Sequence, residues 1–184
     1  MTEYKYPKFP IIFGVLICLF VNRFIVLTSR NAPVEINSSY DEKNNERELA
    51  LFERVVDGDT IVVLLNGEDV KIRFIGIDTP ESVASDDSRN CDEGREASNY
   101  TKSLFMPGES VFLEYDEEKT DKYGRTLAYV YLHDGTMIQD VLLSEGYAKI
   151  YTVWPNTMYA EHFEEIQNGA QIQCKGFWAD YYTY

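Results

Sequence analysis

Apolar runs between residues 48 and 81, separated by polar turn residues, predict three strands at the start of a folded domain. The strands are expected over residues 48–56, 60–65 and 69–77. Asn66-Gly67 separates the second from the third, and both residues tolerate the positive φ of a type I′ turn. The pattern therefore predicts a tight hairpin. This hairpin brings the end of the third strand next to the turn that precedes the second strand.

The remaining sequence is expected to add two strands and three helices. Apolar residues at helical spacing predict helices over residues 94–105, 138–145 and 159–174, and alternation predicts strands over residues 111–115 and 125–132. Three strands, a helix, two strands and further helices is the element order of an OB-type five-stranded β-barrel. The predicted fold class is therefore α+β, with the barrel and about three helices in residues 48–180 and a tail at residues 181–184.

A hydrophobic segment precedes the predicted barrel. Residues 10–21 carry no charge, follow Lys5 and Lys8, and fall short of the ~20 residues that a complete membrane span needs. This pattern is typical of a secretory signal sequence. Residues 1–28 are therefore expected to be a signal peptide or, if retained, a signal anchor that tethers the protein to a membrane. Residues 29–47 are polar and aperiodic, which predicts a linker.

The charge balance is acidic, with 17 Lys and Arg against 31 Asp and Glu and a formal net charge of −14. Neutralisation of phosphates drives non-specific nucleic-acid binding, so such a chain is poorly suited to it. If the ligand is nonetheless a polyanion, a few placed arginines and a bound cation must attract it.

The three cysteines have no spacing that indicates a zinc site or a disulfide framework. Cys18 lies in the apolar segment. Cys91 and Cys174 could pair in an exported protein, but two free thiols are the preferred interpretation.

The predicted hairpin gathers ionisable side chains at its open end. Carboxylates at rigid strand ends suit a hard divalent cation, and the planar fork of an arginine matches two phosphate oxygens. Structural explanations also exist, since Asp57 can cap the turn and Arg73 can pair with Glu81. Five groups are expected to converge there: Asp57, Asp59, Arg73, Asp78 and Glu81.

Taken in order, the motifs of the chain resemble those of the staphylococcal (micrococcal) nuclease family, also called thermonuclease-like domains. Any one motif is weak, but the ordered set at family-like spacings is specific. The segments that carry the resemblance are Val56-Asp57-Gly58-Asp59-Thr60, Arg73-Phe74, Asp78-Thr79-Pro80-Glu81, Gly94-Arg95-Glu96-Ala97, the run from Thr120 to Tyr129, Gly146-Tyr147-Ala148 and Gly176-Phe177-Trp178.

This resemblance implies a calcium-dependent phosphodiesterase that cuts DNA and RNA. It implies that Ca²⁺ is held by the carboxylates of Asp59 and Asp78 and by the backbone carbonyl of Thr79. Asp57 would not contact the ion itself but would support the residues that do.

The resemblance also implies roles for the cationic and remaining acidic residues. Arg73 and Arg125 would hold the scissile phosphate, and Glu81 would act as general base or orient the attacking water. Three further side chains would contact the substrate: Lys122, Tyr123 and Tyr151.

Two other functions are compatible with parts of this pattern. One is a non-catalytic OB-type module that binds nucleic acid or protein, although such relatives lack the carboxylates and arginines present here. The other is a calcium-binding surface protein, which would not need Arg73 and Arg125 together. The expected function is therefore a nuclease, monomeric, and secreted or held at the cell surface.

Overall fold

The structure, a computed structural model, describes residues 47–81 and 91–179. The predicted signal sequence or anchor, the predicted linker up to residue 46 and the tail at residues 181–184 lie outside these ranges. Within them, no helix is long and apolar enough to cross a membrane.

Seven strands and three α-helices make up the described chain. The strands are β1 (Glu48–Asp57), β2 (Thr60–Leu65), β3 (Glu68–Phe74), β4 (Gly76–Asp78), β5 (Ser110–Glu114), β6 (Thr126–Tyr131) and β7 (Lys149–Tyr151). The helices are α1 (Asp92–Ser103), α2 (Ile138–Ser144) and α3 (Ala160–Ile172), followed by a short 3₁₀ helix at Gly176–Trp178.

Five of the strands close into a barrel in the spatial order β1-β2-β3-β6-β5. All neighbours pair antiparallel except β3 and β6, which are parallel. With three helices packed around it, this barrel confirms the predicted α+β, OB-type fold.

The predicted hairpin is present between β2 and β3. Asn66 and Gly67 have φ values of 54° and 88°, and Leu65 pairs with Glu68, as a type I′ turn requires. The same register sets Thr60 opposite Arg73. The turn at residues 57–59 therefore lies beside the end of β3.

The barrel interior and the helix contacts form one apolar core. Ile61, Ile72 and Leu113 come from the strands, and Leu142 and Phe163 come from α2 and α3. All five side chains are at most 1% exposed. Burial of a side chain of this size stabilises the fold by about 1.5–3 kcal/mol, so this core fixes the strand ends on which the polar residues sit.

The prediction of one continuous strand over residues 69–77 is wrong. The chain turns at Gly76, whose φ is +82° and where an added Cβ would lie 2.6 Å from the ring of Phe163. Positive φ is incompatible with a regular strand and favours glycine. Beyond this point β4 leaves the barrel and pairs with β7, a three-residue strand that the sequence pattern did not reveal.

The predicted helices are present with shifted ends. Helix α1 begins at Asp92 rather than residue 94 because the Cys91 sulfur accepts a hydrogen bond from the Gly94 N–H at 3.3 Å, which caps the helix. Cys91 and Cys174 are both free thiols. Trp178 is 6% exposed and packs as a buried residue.

Candidate active site

Arg73, in β3, is the cation of the predicted cluster and has several polar contacts. Its Nη2 lies 3.1 Å from Asp59 Oδ2 and 2.8 Å from Asp78 Oδ1. Its Nη1 donates hydrogen bonds to the carbonyls of Phe74 at 2.9 Å and Ile77 at 2.8 Å. The side chain is only 11% exposed, so these contacts fix the guanidinium plane at the mouth of the barrel.

Asp59 connects the turn before β2 to the segment that follows β4. Its Oδ2 accepts hydrogen bonds from the Thr79 N–H at 3.1 Å and from the Thr79 hydroxyl at 3.3 Å, while its Oδ1 accepts one from Thr60 at 2.9 Å. Gly58 allows this approach, since a Cβ there would lie 2.6 Å from Thr79 Oγ1. The backbone around Thr79 is therefore held against the Asp59 carboxylate.

The acidic groups in this cluster crowd one another. Although the Asp78 side chain is 57% exposed, partial desolvation of its carboxylate is the main cause that raises the pKa of Asp78, and the nearby charges of Asp59 and Asp57 raise it further against the opposing effect of Arg73. Asp57 is 8% exposed, and its Oδ1 accepts a hydrogen bond from the Gly58 N–H at 2.8 Å. This contact supports the turn-capping interpretation of Asp57.

The donor set suits an oxygen-seeking cation. Asp59 and Asp78 both point an oxygen at the same arginine nitrogen, and a cation beside them would offset their mutual repulsion. Residues 47–81 and 91–179 contain no group of three or more His, Cys, Asp or Glu side chains arranged for a metal ion. The oxygen groups gathered at this point are the two carboxylates of Asp59 and Asp78.

Glu81 is exposed at the end of the first described range, and helix α1 holds its backbone. The Cys91 N–H donates a hydrogen bond to the Glu81 carbonyl at 3.2 Å. A Cβ on Gly94 would lie 2.2 Å from the same oxygen, so the helix touches the chain at Glu81 directly. The position of Glu81 thus depends on the start of α1.

Thr101, in the last turn of α1, supports the other side of the cluster. It is fully buried, and its hydroxyl donates a 2.7 Å hydrogen bond to the Gly58 carbonyl. The sequence pattern did not predict this contact. One helix therefore positions both Glu81 and the turn that carries Asp59.

A cleft of about 360 Å³ opens beside Arg73, between β3, the loop before β6 and the segment after β7. Among the described residues, Asp59, Asp78 and Glu81 are not part of its lining, and Asp59 and Asp78 adjoin it through Arg73. The cleft brings together all the residues predicted to hold phosphate or substrate: Arg73, Lys122, Tyr123, Arg125 and Tyr151.

Asp121 organises the loop side of this cleft. Its Oδ2 accepts a hydrogen bond from Arg125 Nε at 2.7 Å, and its Oδ1 accepts the N–H groups of Tyr123 and Arg125, each at 2.9 Å. Burial disfavours the charged carboxylate, but these hydrogen bonds outweigh it and lower the pKa of Asp121. The exposed Tyr123 ring lies 5.7 Å from the Arg125 guanidinium and 5.0 Å from Lys122 Nζ.

Comparison with known proteins gives consistent matches. The family model described as "Staphylococcal nuclease homologue" matches residues 71–180. The chain is 43% identical over 128 residues to "Thermonuclease" of Staphylococcus intermedius, which covers 70% of this chain and 74% of that protein. It is 42% identical over 127 residues to "Thermonuclease" of Staphylococcus hyicus, covering 69% and 73%. It is 38% identical over 132 residues to "Endonuclease YncB" of Bacillus subtilis (strain 168), covering 70% and 60%.

Proposed function

Because the chain belongs to the staphylococcal nuclease family and is a nuclease of that family, we propose that it is a calcium-dependent enzyme that hydrolyses phosphodiester bonds of DNA, RNA or both. One observation carries this proposal. Asp59 and Asp78 converge on one nitrogen of Arg73, and Arg73 lines a cleft that also contains Arg125. This arrangement supports a cation site that adjoins a phosphate site.

The proposed calcium ligands are the carboxylates of Asp59 and Asp78 and the backbone carbonyl of Thr79. All are oxygen donors, which calcium prefers, and the hydrogen bonds from Thr79 to Asp59 keep two of the three together. Asp57 supports the turn behind them. A bound calcium ion would supply positive charge against a phosphate oxygen, where the anion otherwise repels an approaching nucleophile.

Arg73 and Arg125 are proposed to hold the scissile phosphate. Their charge-assisted hydrogen bonds strengthen as negative charge builds on the phosphate oxygens during attack. In the structure, both terminal nitrogens of Arg73 are already engaged, so bidentate phosphate binding must displace a partner. Asp78 is the more exposed of its two carboxylate partners, at 57% against 10%, and is the partner we expect to be displaced.

Glu81 is proposed to orient or deprotonate the attacking water, a contribution of about 10²–10⁴ in rate. Its exposed side chain and its backbone contacts with α1 support this role, because the carboxylate can meet solvent while its backbone stays fixed. Lys122 and Tyr123 are proposed to contact a neighbouring phosphate, and Tyr151, which also lines the cleft, is proposed to contact the substrate.

The full chain should be assayed on single-stranded DNA and RNA oligonucleotides, with calcium and then with excess chelator. We expect cutting that stops when calcium is removed. Glu81→Gln should lower kcat by about 10²–10⁴. Glu165→Gln, which changes an exposed acid of α3, is the matched control and should retain full activity.

A binding measurement separates calcium affinity from catalysis. Calcium should raise the thermal midpoint of the parent and of Glu81→Gln, because a ligand that binds only the folded state stabilises it. Asp59→Asn should abolish this shift. Cutting that survives the chelator would contradict calcium dependence, and no cutting with any divalent ion would favour a non-catalytic binding module.

We further propose that the protein is exported. It is secreted if residues 1–28 are removed, and it is held at the cell surface if they are retained. The support is the sequence alone, since basic residues precede the uncharged segment at residues 10–21. Fractionation of cells that express the full chain should recover it in the medium or in the membrane fraction. Recovery in the cytosol would contradict export.

A further inference from the structure

The segment after β7 exposes an unusual amount of apolar surface. Trp154 is 84% exposed, and Tyr151, Val153 and Met158 are 58%, 52% and 53% exposed. Aromatic side chains of this size stabilise a protein when buried, and a concentrated exposed patch indicates a contact surface. These four residues lie within eight positions of the chain, so the exposure is a property of this segment.

The backbone that carries Trp154 is firmly held. The Asn156 N–H donates a 3.0 Å hydrogen bond to the Val153 carbonyl, which closes a turn with Trp154 near its tip. The Asn156 side chain is 5% exposed and exchanges two hydrogen bonds of 2.8 Å with the backbone of Glu118. The indole is therefore presented to solvent on a fixed support, which reduces the entropy lost when a ligand binds.

This turn separates the cleft from a second groove. Val153 and Asn156 line the cleft that contains Arg73 and Arg125. Trp154 lines the neighbouring groove together with Asp116, Glu117, Pro155, Thr157 and Met158. A strand whose phosphate occupies the cleft therefore has only this one turn to cross before it reaches the indole.

The charge of the groove decides which part of a nucleic acid can occupy it. Asp116 and Glu117 stand beside Trp154 and repel a phosphate, and the groove lining contains no Lys or Arg among the described residues. A nucleobase is uncharged and presents a flat π-face, which stacks on aromatic side chains in proteins that bind single strands. The same acidic side chains disfavour an anionic membrane surface.

We propose that Trp154 forms a second nucleobase-binding site, outside the cleft, which stacks on an unpaired base displaced along the strand from the scissile phosphate. The inference rests on the proposed function, because the arginines of the cleft place the strand. It adds a contact that lengthens the preferred substrate and favours unpaired nucleotides on one side of the cut.

Tryptophan fluorescence provides a direct test in the full chain. The sequence contains two tryptophans, and Trp178 is buried at 6% exposure, so quenching by a ligand reports mainly on Trp154. A twelve-nucleotide oligothymidylate, titrated with calcium into the Glu81→Gln protein to prevent cutting, should quench the emission. The same titration of a Glu81→Gln, Trp154→Phe protein should show almost no quenching.

An abasic nucleotide moved along the oligonucleotide identifies the base that is bound. All of these proteins carry Glu81→Gln. Adding Trp154→Ala should weaken binding of the intact strand roughly tenfold, and adding Trp154→Phe should retain most of the affinity. An abasic nucleotide at one position should weaken binding to the protein that keeps Trp154 by a similar factor, and should cause no further loss in the protein with Trp154→Ala. Ile172→Ala, which truncates an 81% exposed side chain of α3, is the control and should change neither affinity nor this position.

The outcomes separate this inference from the proposed function. Cutting of DNA without quenching, or with additive effects at every abasic position, would overturn the second site and leave the nuclease intact. Quenching and non-additivity in a chain that cuts nothing would support the base site and refute the nuclease. Quenching by phosphatidylcholine vesicles but not by the oligonucleotide would assign the surface to a membrane and overturn the inference.

Discussion

Arg73 and Arg125 line the same cleft, but the protein holds them in different ways. Arg73 is 11% exposed in a barrel strand and contacts two carboxylates and two backbone carbonyls. Arg125 is 34% exposed just before β6, and its side chain forms an ion pair with Asp121. The first arginine is therefore part of the barrel's polar framework, whereas the second is positioned by a local turn. Function and stability should be coupled at Arg73 and separable at Arg125.

The largest expected effect comes from Arg73→Ala. It removes a proposed phosphate ligand, for which we expect kcat/KM to fall at least 10²-fold. It also leaves the buried Asp59 carboxylate without its cation, which should lower the free energy of unfolding by about 3 kcal/mol. Urea unfolding and steady-state kinetics measure the two effects. The matched control is Arg54→Ala, which breaks an exposed 3.8 Å pair with Asp69 and should change stability by less than about 1 kcal/mol.

Arg125→Ala should affect activity alone. We expect a fall in kcat/KM of about 10²-fold, because a proposed phosphate ligand is again lost. The free energy of unfolding should change by no more than about 1 kcal/mol, since Asp121 keeps the hydrogen bond from the Tyr123 N–H and the arginine is partly exposed. Equal losses of stability in the Arg73 and Arg125 variants would contradict the comparison.

Sequence patterns predicted most of the barrel because its signals are local. Asn66-Gly67 fixes the hairpin, and apolar runs mark the strands on either side of it. The break at Gly76 was not predictable, because it depends on packing against Phe163, which lies far along the chain. Strand β7 is three residues long and pairs with β4, which itself exists only because of that break. Short strands set by distant contacts leave little pattern to detect.

The candidate site shows the same division between local and distant signals. The acidic turn and the two arginines stand out in the sequence, and the structure brings Asp59, Arg73 and Asp78 together. The supports do not stand out, since Thr101 bonds to Gly58 from 43 positions away. Side chains that carry charge could therefore be predicted, while those that position them required the fold.

The smallest expected effect comes from Asp121, the residue that holds the Arg125 side chain. Asp121→Asn keeps the shape of the side chain but removes its charge, so Arg125 should be held less firmly. We expect kcat/KM to fall about fivefold, the equivalent of about 1 kcal/mol. Stability should also fall at neutral pH, because the pKa of Asp121 is lowered in the folded protein and the ionised carboxylate therefore stabilises the fold.

The pH dependence of unfolding tests the expected loss of stability in Asp121→Asn. The stabilisation by Asp121 is complete above its ordinary pKa of 3.8 and is lost as the pH falls through the lower pKa of the folded state. Parent and Asp121→Asn should therefore differ at pH 6 and converge under acid. Asp134→Asn is the control, since Asp134, in a turn that does not line the cleft, accepts a hydrogen bond from the Thr136 N–H that also lowers the pKa of Asp134. That variant should show the same pH-dependent loss of stability with unchanged activity, whereas reduced activity in both variants would mean that Asp121 does not act through Arg125.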